Sequence, residues 1–144
     1  MDELLGELLS QQPSAHRVRL QRAADAVAIC IPSDPLLLRT VLGNLIENAL
    51  KYSPPGGTVQ INLALGTQGG DRGVRIQIQN AAGAAGLPSL THVFKKYYRA
   101  PGAYQQSGSG LGLYIVKALT ERLGGTIECQ SQDDLVTFDL WLPQ

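Results

Sequence analysis

Asp34-Pro35-Leu36-Leu37-Leu38-Arg39-Thr40-Val41-Leu42-Gly43-Asn44-Leu45-Ile46-Glu47-Asn48-Ala49-Leu50-Lys51-Tyr52-Ser53 is the stretch on which the reading of this chain turns. Asp34 can cap the free amides of a helix start, Pro35 suits the first helical position, and Pro54-Pro55-Gly56-Gly57 stops the run. Both ends of a helix over residues 34–53 are therefore specified locally. Leu38, Val41, Leu42, Leu45 and Ala49 recur at helical spacing and form a stripe for a core. Asn44, Asn48 and Lys51 fall on a second line, four and then three residues apart. Asn is a poor helix former, and a solvated face more usually carries scattered Glu and Lys. Two amides and an ammonium looking out together suit a ligand, with surface decoration or local capping as the alternative.

A second stretch, Gly108-Ser109-Gly110-Leu111-Gly112-Leu113, leads into a helix over residues 111–123 that presents Ile115, Val116, Leu119 and Leu123 to the core and is ended by Gly124-Gly125. Glycines let a backbone approach an anion closely, and helix N-terminal amides favour negative charge. G-x-G-x-G is weak by itself; its position between a long aperiodic segment and an apolar helix strengthens it. That segment, residues 81–109, is rich in Gly, Ala, Pro and Tyr, and a loop of such length in a small domain is usually functional or mobile. Within it Lys95, Lys96 and Arg99 put three cations in five residues beside Phe94, Tyr97 and Tyr98.

Three motifs in order carry a resemblance. Asn44 to Ser53 resembles the N box of sensor histidine kinases, Val93 to Arg99 their F box, and Gly108 to Gly112 their second glycine box. The resemblance runs from about Arg17 to Pro143 and implies a catalytic, ATP-binding domain with the Bergerat nucleotide fold, using ATP and Mg²⁺. It implies Asn48 as the side chain on Mg²⁺ and the nucleotide, Asn44 beside the phosphates or their waters, Lys51 as a point charge on phosphate oxygens, and Tyr52 beside the nucleoside. It makes residues 81–109 an ATP lid, with Lys96 and Arg99 over the phosphates, and Gly108, Gly110, Leu111 and Gly112 their backbone cradle. Residues 1–16 become the tail of a preceding dimerisation helix and its linker, and residues 17–144 the catalytic domain.

One box departs from the family pattern. Sensor kinases carry D-x-G-x-G here, whose Asp accepts from the adenine amino group; this chain has Asn80 in the Asp register, with Gly83 and Gly86 off their usual spacing. A neutral acceptor makes a hydrogen bond about half as strong as a charged one. Weak ATP binding by this chain alone is the expectation, with tightening by Asn80→Asp, and with reduced discrimination against guanine because the amide can turn its NH₂ toward an acceptor.

The reaction type follows from a missing base. Hydrolases of the same superfamily carry a Glu where this chain has Asn44, and an amide cannot take a proton from water near neutral pH. Glu47 is near that face but not in that position. Phosphoryl transfer asks chiefly for positioning and charge neutralisation. The resemblance then implies phosphorylation of a His on a separate dimerisation domain, followed by transfer to the receiver domain of a response regulator. His16 and His92 lack the acidic neighbour of the family's acceptor His, so the acceptor is expected elsewhere and this chain to be a fragment. The implied setting is a monomeric fragment of a homodimeric parent, the cytoplasmic domain of an inner-membrane sensor kinase. A degenerate binding module and an anti-sigma-type Ser/Thr kinase remain open.

Composition agrees with one globular domain: 144 residues, 12 basic and 12 acidic, 44% hydrophobic. A neutral balance argues against bulk nucleic-acid binding, and no apolar run approaches the roughly 20 residues that span a membrane. Helical spacing of Leu4, Leu5, Leu8 and Leu9 ends at Pro13. Strands are predicted at 17–21, 26–31, 58–65, 74–80, 126–131 and 135–142, with 66–73 as a turn, Asp133-Asp134 as a hairpin turn, and Trp141 on the face opposite the core. Interleaved strands and helices suggest a two-layer α/β sandwich, a mixed sheet with helices on one face. Cys30 and Cys129 read as buried hydrophobes rather than a disulfide or metal site.

Overall fold

In the computed structural model, which describes residues 1–24, 30–103 and 108–144, the Asp34 carboxylate accepts from the amides of Leu36 and Leu37 at 2.9 and 3.3 Å. Those bonds start helix α2 (Pro35–Tyr52), and Leu38, Val41, Leu42, Leu45 and Ala49 are all buried along it. Ile46 and Leu50 widen the same stripe. Helix α1 (Asp2–Ser10) precedes it, and α3 is Gly112–Arg122. The strands are β1 (Val18–Arg22), β2 (Val59–Gln68), β3 (Asp71–Ala81), β4 (Thr126–Gln132) and β5 (Leu135–Pro143). They form one mixed sheet in the order β1-β2-β3-β5-β4, parallel between β1 and β2 and antiparallel elsewhere.

The core lies between α2 and one sheet face, where Ile61, Leu63, Ile76, Ile78, Phe138 and Leu140 meet the α2 stripe. The other sheet face is lined by amides that bond one another or a neighbour. Gln60 donates to Gln21 and Asn62, Gln79 to Thr137, and Gln77 to Asp139, which also pairs with Arg75 at 3.2 Å. Trp141 stands on this second face, as the alternation predicts, and its indole lies against Gly73. A Cβ there would come within 2.7 Å of the ring, so glycine in mid-strand serves packing.

Helix α1 packs on the domain. Leu5 and Leu8 are buried in the same core, Asp2 pairs with Arg22 at 2.7 Å, and Glu7 pairs with Arg39 of α2.

Four local expectations change. Residues 66–73 are not one turn: β2 and β3 pair through Gln68 and Asp71, leaving Gly69-Gly70, both at positive φ, as a two-residue hairpin turn. Backbone pairing continues there although side-chain alternation has ended. The strand predicted at 26–31 lies outside the described residues except Cys30 and Ile31, which belong to no strand. Cys30 is exposed, not buried, because it stands in the loop approaching α2. On α3 the inner stripe is Leu113, Val116, Leu119, Thr120 and Leu123, so Ile115, expected in the core, is 37% exposed. Cys129 is half-buried under the sheet, and burial pushes its thiol up to about 12.

Candidate nucleotide site

The polar line of α2 borders a cavity of about 240 Å³. Asn44, Asn48, Lys51 and Tyr52 all line it, joined from the same helix by Glu47 at an exposed rim. The end of β3 and the next loop add Asn80, Ala85 and Gly86; β5 supplies Val136 and Phe138 as an apolar floor. Gly108, Ser109, Gly110 and Gly112 close one side, and Val93, Tyr98 and Arg99 another. A mostly apolar hollow with a few convergent polar groups is the usual form of a small-molecule site.

The α2 side chains differ in how they are held. Asn44 Nδ2 donates to the Thr40 carbonyl at 2.8 Å, which fixes its oxygen toward Gly112, where a Cβ would stand 3.0 Å from Oδ1. Asn48 bonds no described residue through its carboxamide, so its oxygen is free to accept or to ligate. The Lys51 ammonium lies 5.2 Å from the Tyr52 ring centre, and a Cβ on Gly108 would come within 2.7 Å of it. The glycine turn is therefore bare where an ammonium and an amide press against it.

Asn80 is buried at 4% exposure, and its Nδ2 donates to the carbonyl of Ala81 at 2.8 Å. That bond leaves the carboxamide oxygen as the atom available to a ligand. The expectation that the amide would readily turn its NH₂ outward meets this tether.

Three of the expected residues stand off the cavity. Gly83 lies behind it: its N–H donates to the Tyr52 carbonyl at 2.9 Å, and a Cβ there would come within 2.6 Å of that oxygen, so this glycine serves the close approach of loop to helix end. Leu111 is the residue before α3 and lies outside the lining. The Lys96 ammonium is drawn away by Tyr97 and Tyr114, 5.2 and 5.9 Å from their ring centres. Arg99 does line the cavity, donating to the Ala103 carbonyl.

The segment between β3 and α3 is docked through its aromatics. Val93 is buried, Phe94 meets Phe138 edge-on at 6.1 Å, and the Tyr98 hydroxyl accepts from the Ser89 amide at 2.8 Å. Tyr97 is 65% exposed and sits at φ 63°; its N–H donates to the Gly110 carbonyl at 3.0 Å. Residues 104–107 lie outside the described set.

Sequence reasoning placed Glu47 near this face without a role, and did not find the floor residues, whose alternation in β5 was read only as core. Among the described residues no group of three His, Cys, Asp or Glu could hold a metal. Mg²⁺ fits here only in the way Mg²⁺ commonly binds, through one or two protein oxygens plus phosphates and water, and the unpaired Asn48 oxygen suits that donor set.

Comparison with known proteins agrees with this geometry. The family model described as histidine kinase-, DNA gyrase B-, and HSP90-like ATPase matches residues 33–144. Sensor histidine kinase CusS of Escherichia coli is 33% identical over 115 residues, 78% of this chain and 23% of that protein. Sensor protein kinase PmrB of Pseudomonas aeruginosa is 40% identical over 92 residues, 64% of this chain and 18% of that protein. The chain thus spans about a quarter or less of these relatives. The nucleotide-free catalytic domain of histidine kinase ThkA superposes with a TM-score of 0.77 at 21% identity, covering 99% of this chain and 91% of that one. The mycobacterial sensor histidine kinase MprB gives 0.72 at 23%, covering 99% and 93%. The cavity on α2, the mixed sheet behind it and the match over residues 33–144 lead to one conclusion: this chain belongs to the family of histidine kinase-, DNA gyrase B- and HSP90-like ATPases, and its fold is that of histidine kinase catalytic domains.

Proposed function

We propose that this domain binds Mg-ATP in the α2 cavity and passes the γ-phosphoryl group to a His on a separate dimerisation domain of a two-component kinase, from which a response regulator takes it. The observation that carries this reading is Asn44. Its amide, pinned to Thr40, stands where the superfamily's hydrolases carry their water-activating Glu, and Glu47, the carboxylate in the described lining, sits at the exposed rim three residues from that position, so the site positions phosphates without a base at the hydrolytic position. ATP would supply the transferable group and Mg²⁺ part of the charge neutralisation. Asn48 offers the metal an oxygen, Lys51 and Arg99 offer cations, and the glycine turn offers amides. Lys96, held between two tyrosines, is the lid cation less well placed for this. The likeness to CusS, named a sensor histidine kinase, favours a His acceptor over a Ser one.

Mixed with Mg-ATP alone, the chain is expected to stay unlabelled, and to phosphorylate an added dimerisation domain carrying a His with an acidic neighbour. Acid-labile phosphate accumulating on the isolated chain would overturn the assignment of the acceptor to another domain.

Asn80 gives a second expectation, revised by the structure. Asn80→Asp gains a charged acceptor for the adenine amino group but sets a carboxylate oxygen against the Ala81 carbonyl, where an N–H now donates. A buried acceptor left facing another costs about 1–3 kcal/mol of stability, and the repulsion turns the carboxylate out of the orientation that the Ala81 bond gives the amide, so the gain of about 1 kcal/mol from a charged acceptor is not realised at the ligand. The variant should therefore melt at lower temperature and bind Mg-ATP no more tightly, with adenine still preferred over guanine in the unmodified chain. Calorimetry with ATP and GTP decides it: a tighter variant means the Ala81 tether does not govern the side chain.

A further inference from the structure

We propose that Arg17 is a positioning residue for the nucleotide site, locking the last turn of α2 to the segment that leads into the domain; this rests on the nucleotide reading above. Its guanidinium reaches four acceptors at one helix end. Nε donates to the Gly57 carbonyl at 2.8 Å, and Nη2 donates to the Pro54 carbonyl at 3.0 Å and to the Ser53 hydroxyl oxygen. Nη1 reaches the Leu50 carbonyl at 3.5 Å, which also accepts from the Ser53 hydroxyl at 3.0 Å.

The carbonyls of a helix's last turn have no partner within the helix, and a cation there also opposes the negative end of its dipole. A planar fork can meet the Leu50 carbonyl of that turn together with the Ser53, Pro54 and Gly57 oxygens just beyond the helix; a lysine ammonium cannot reproduce that geometry. Arg17 is half-buried and Ser53 is buried, so these bonds are shielded from water more than a surface contact.

The turn held in this way carries Lys51 and Tyr52 into the cavity. From the Tyr52 carbonyl the linkage continues to the Gly83 amide and so into the loop that follows Asn80. On the preceding side, Arg17 ends a 3₁₀ turn (Ala15–Arg17) that follows α1, whose Leu5 and Leu8 are buried against the other half of α2, where Glu7 pairs with Arg39. Residues 2–17 therefore grip α2 near both ends. Displacement of this segment acts first on Lys51 and Tyr52.

The test compares the unmodified 144-residue chain with Arg17→Met, which keeps an apolar stem, and Arg17→Lys, which keeps one charge. Thermal midpoints, residue-resolved amide exchange and calorimetric Mg-ATP affinity are measured on each. For Arg17→Met, exchange at Lys51, Tyr52 and Ser53 should rise about tenfold while β2 and β3 stay as they were, and Mg-ATP should bind about tenfold more weakly. Arg17→Lys should recover part of both. Uniform acceleration throughout the domain, or local acceleration with unaltered Mg-ATP affinity, would overturn the proposal. Should the unmodified chain take up no Mg-ATP, the nucleotide reading is what fails, and the exchange pattern at the end of α2 alone decides whether Arg17 locks it.

Discussion

Asn48→Ala is expected to weaken Mg-ATP binding about 100-fold, a loss of roughly 2.7 kcal/mol, while the thermal midpoint of the free domain barely moves. The asymmetry follows from how the side chain sits. Its carboxamide bonds no described residue, so removing it leaves no buried partner unsatisfied, yet the cavity loses the oxygen best suited to a hard cation. Asn48→Asp should lose affinity too, since it keeps an oxygen but sets a negative charge against the polyphosphate. Chelation separates metal from nucleotide: with Mg²⁺ removed by EDTA, the unmodified chain and Asn48→Ala should bind ATP equally poorly. An Asn48→Ala variant with undiminished Mg-ATP affinity by calorimetry would falsify the metal assignment.

Gly110→Ala should be the most damaging change in the glycine turn. Gly110 sits at φ 73°, and a Cβ there would stand 2.7 to 2.9 Å from the backbone of Tyr97, which cannot swing aside as a side-chain tip could. Tyr97 is itself at positive φ and bonded to the Gly110 carbonyl, so the two backbones must separate. Such strain costs about 1–3 kcal/mol, and a loss near 2 kcal/mol lowers Mg-ATP affinity roughly 30-fold. Gly56→Ala is the matched control, because Gly56 has φ 72° but nothing within 4 Å of the added methyl. It should show the conformational cost alone, with nucleotide affinity intact. Equal behaviour of the two variants in calorimetry and in proteolysis of residues 82–103 would mean that the turn and the lid are not joined at this point.

What could be read in advance was whatever lies within a few residues along the chain. The cap, the apolar stripe and the polar line of α2 are all local, and all stand where the sequence places them. The central strands were legible for the same reason, since alternation reports burial of one face. Strand ends were not: β2 and β3 remain paired beyond the last alternating residue, because a ladder needs backbone only. The glycines were legible as close approaches, but not as approaches to what. Gly110 meets the lid backbone, Gly108 an ammonium, and Gly83 a helix-end carbonyl rather than a ligand. Lys96 belongs to the same class, its distance from the cavity being set by Tyr114 on α3. Arg17 could not be singled out at all, for its acceptors lie 33 to 40 residues away.

The amide-lined sheet face is satisfied largely from within. Gln60, Gln77 and Gln79 spend their N–H groups on neighbouring side chains of the same face, and Arg75 pairs with Asp139. Carboxamides do not titrate, so the donor side of these bonds is the same at any pH near neutrality. With its N–H donors already taken, this face offers an approaching protein few new hydrogen bonds, while the helices and the cavity lie on the other side of the sheet.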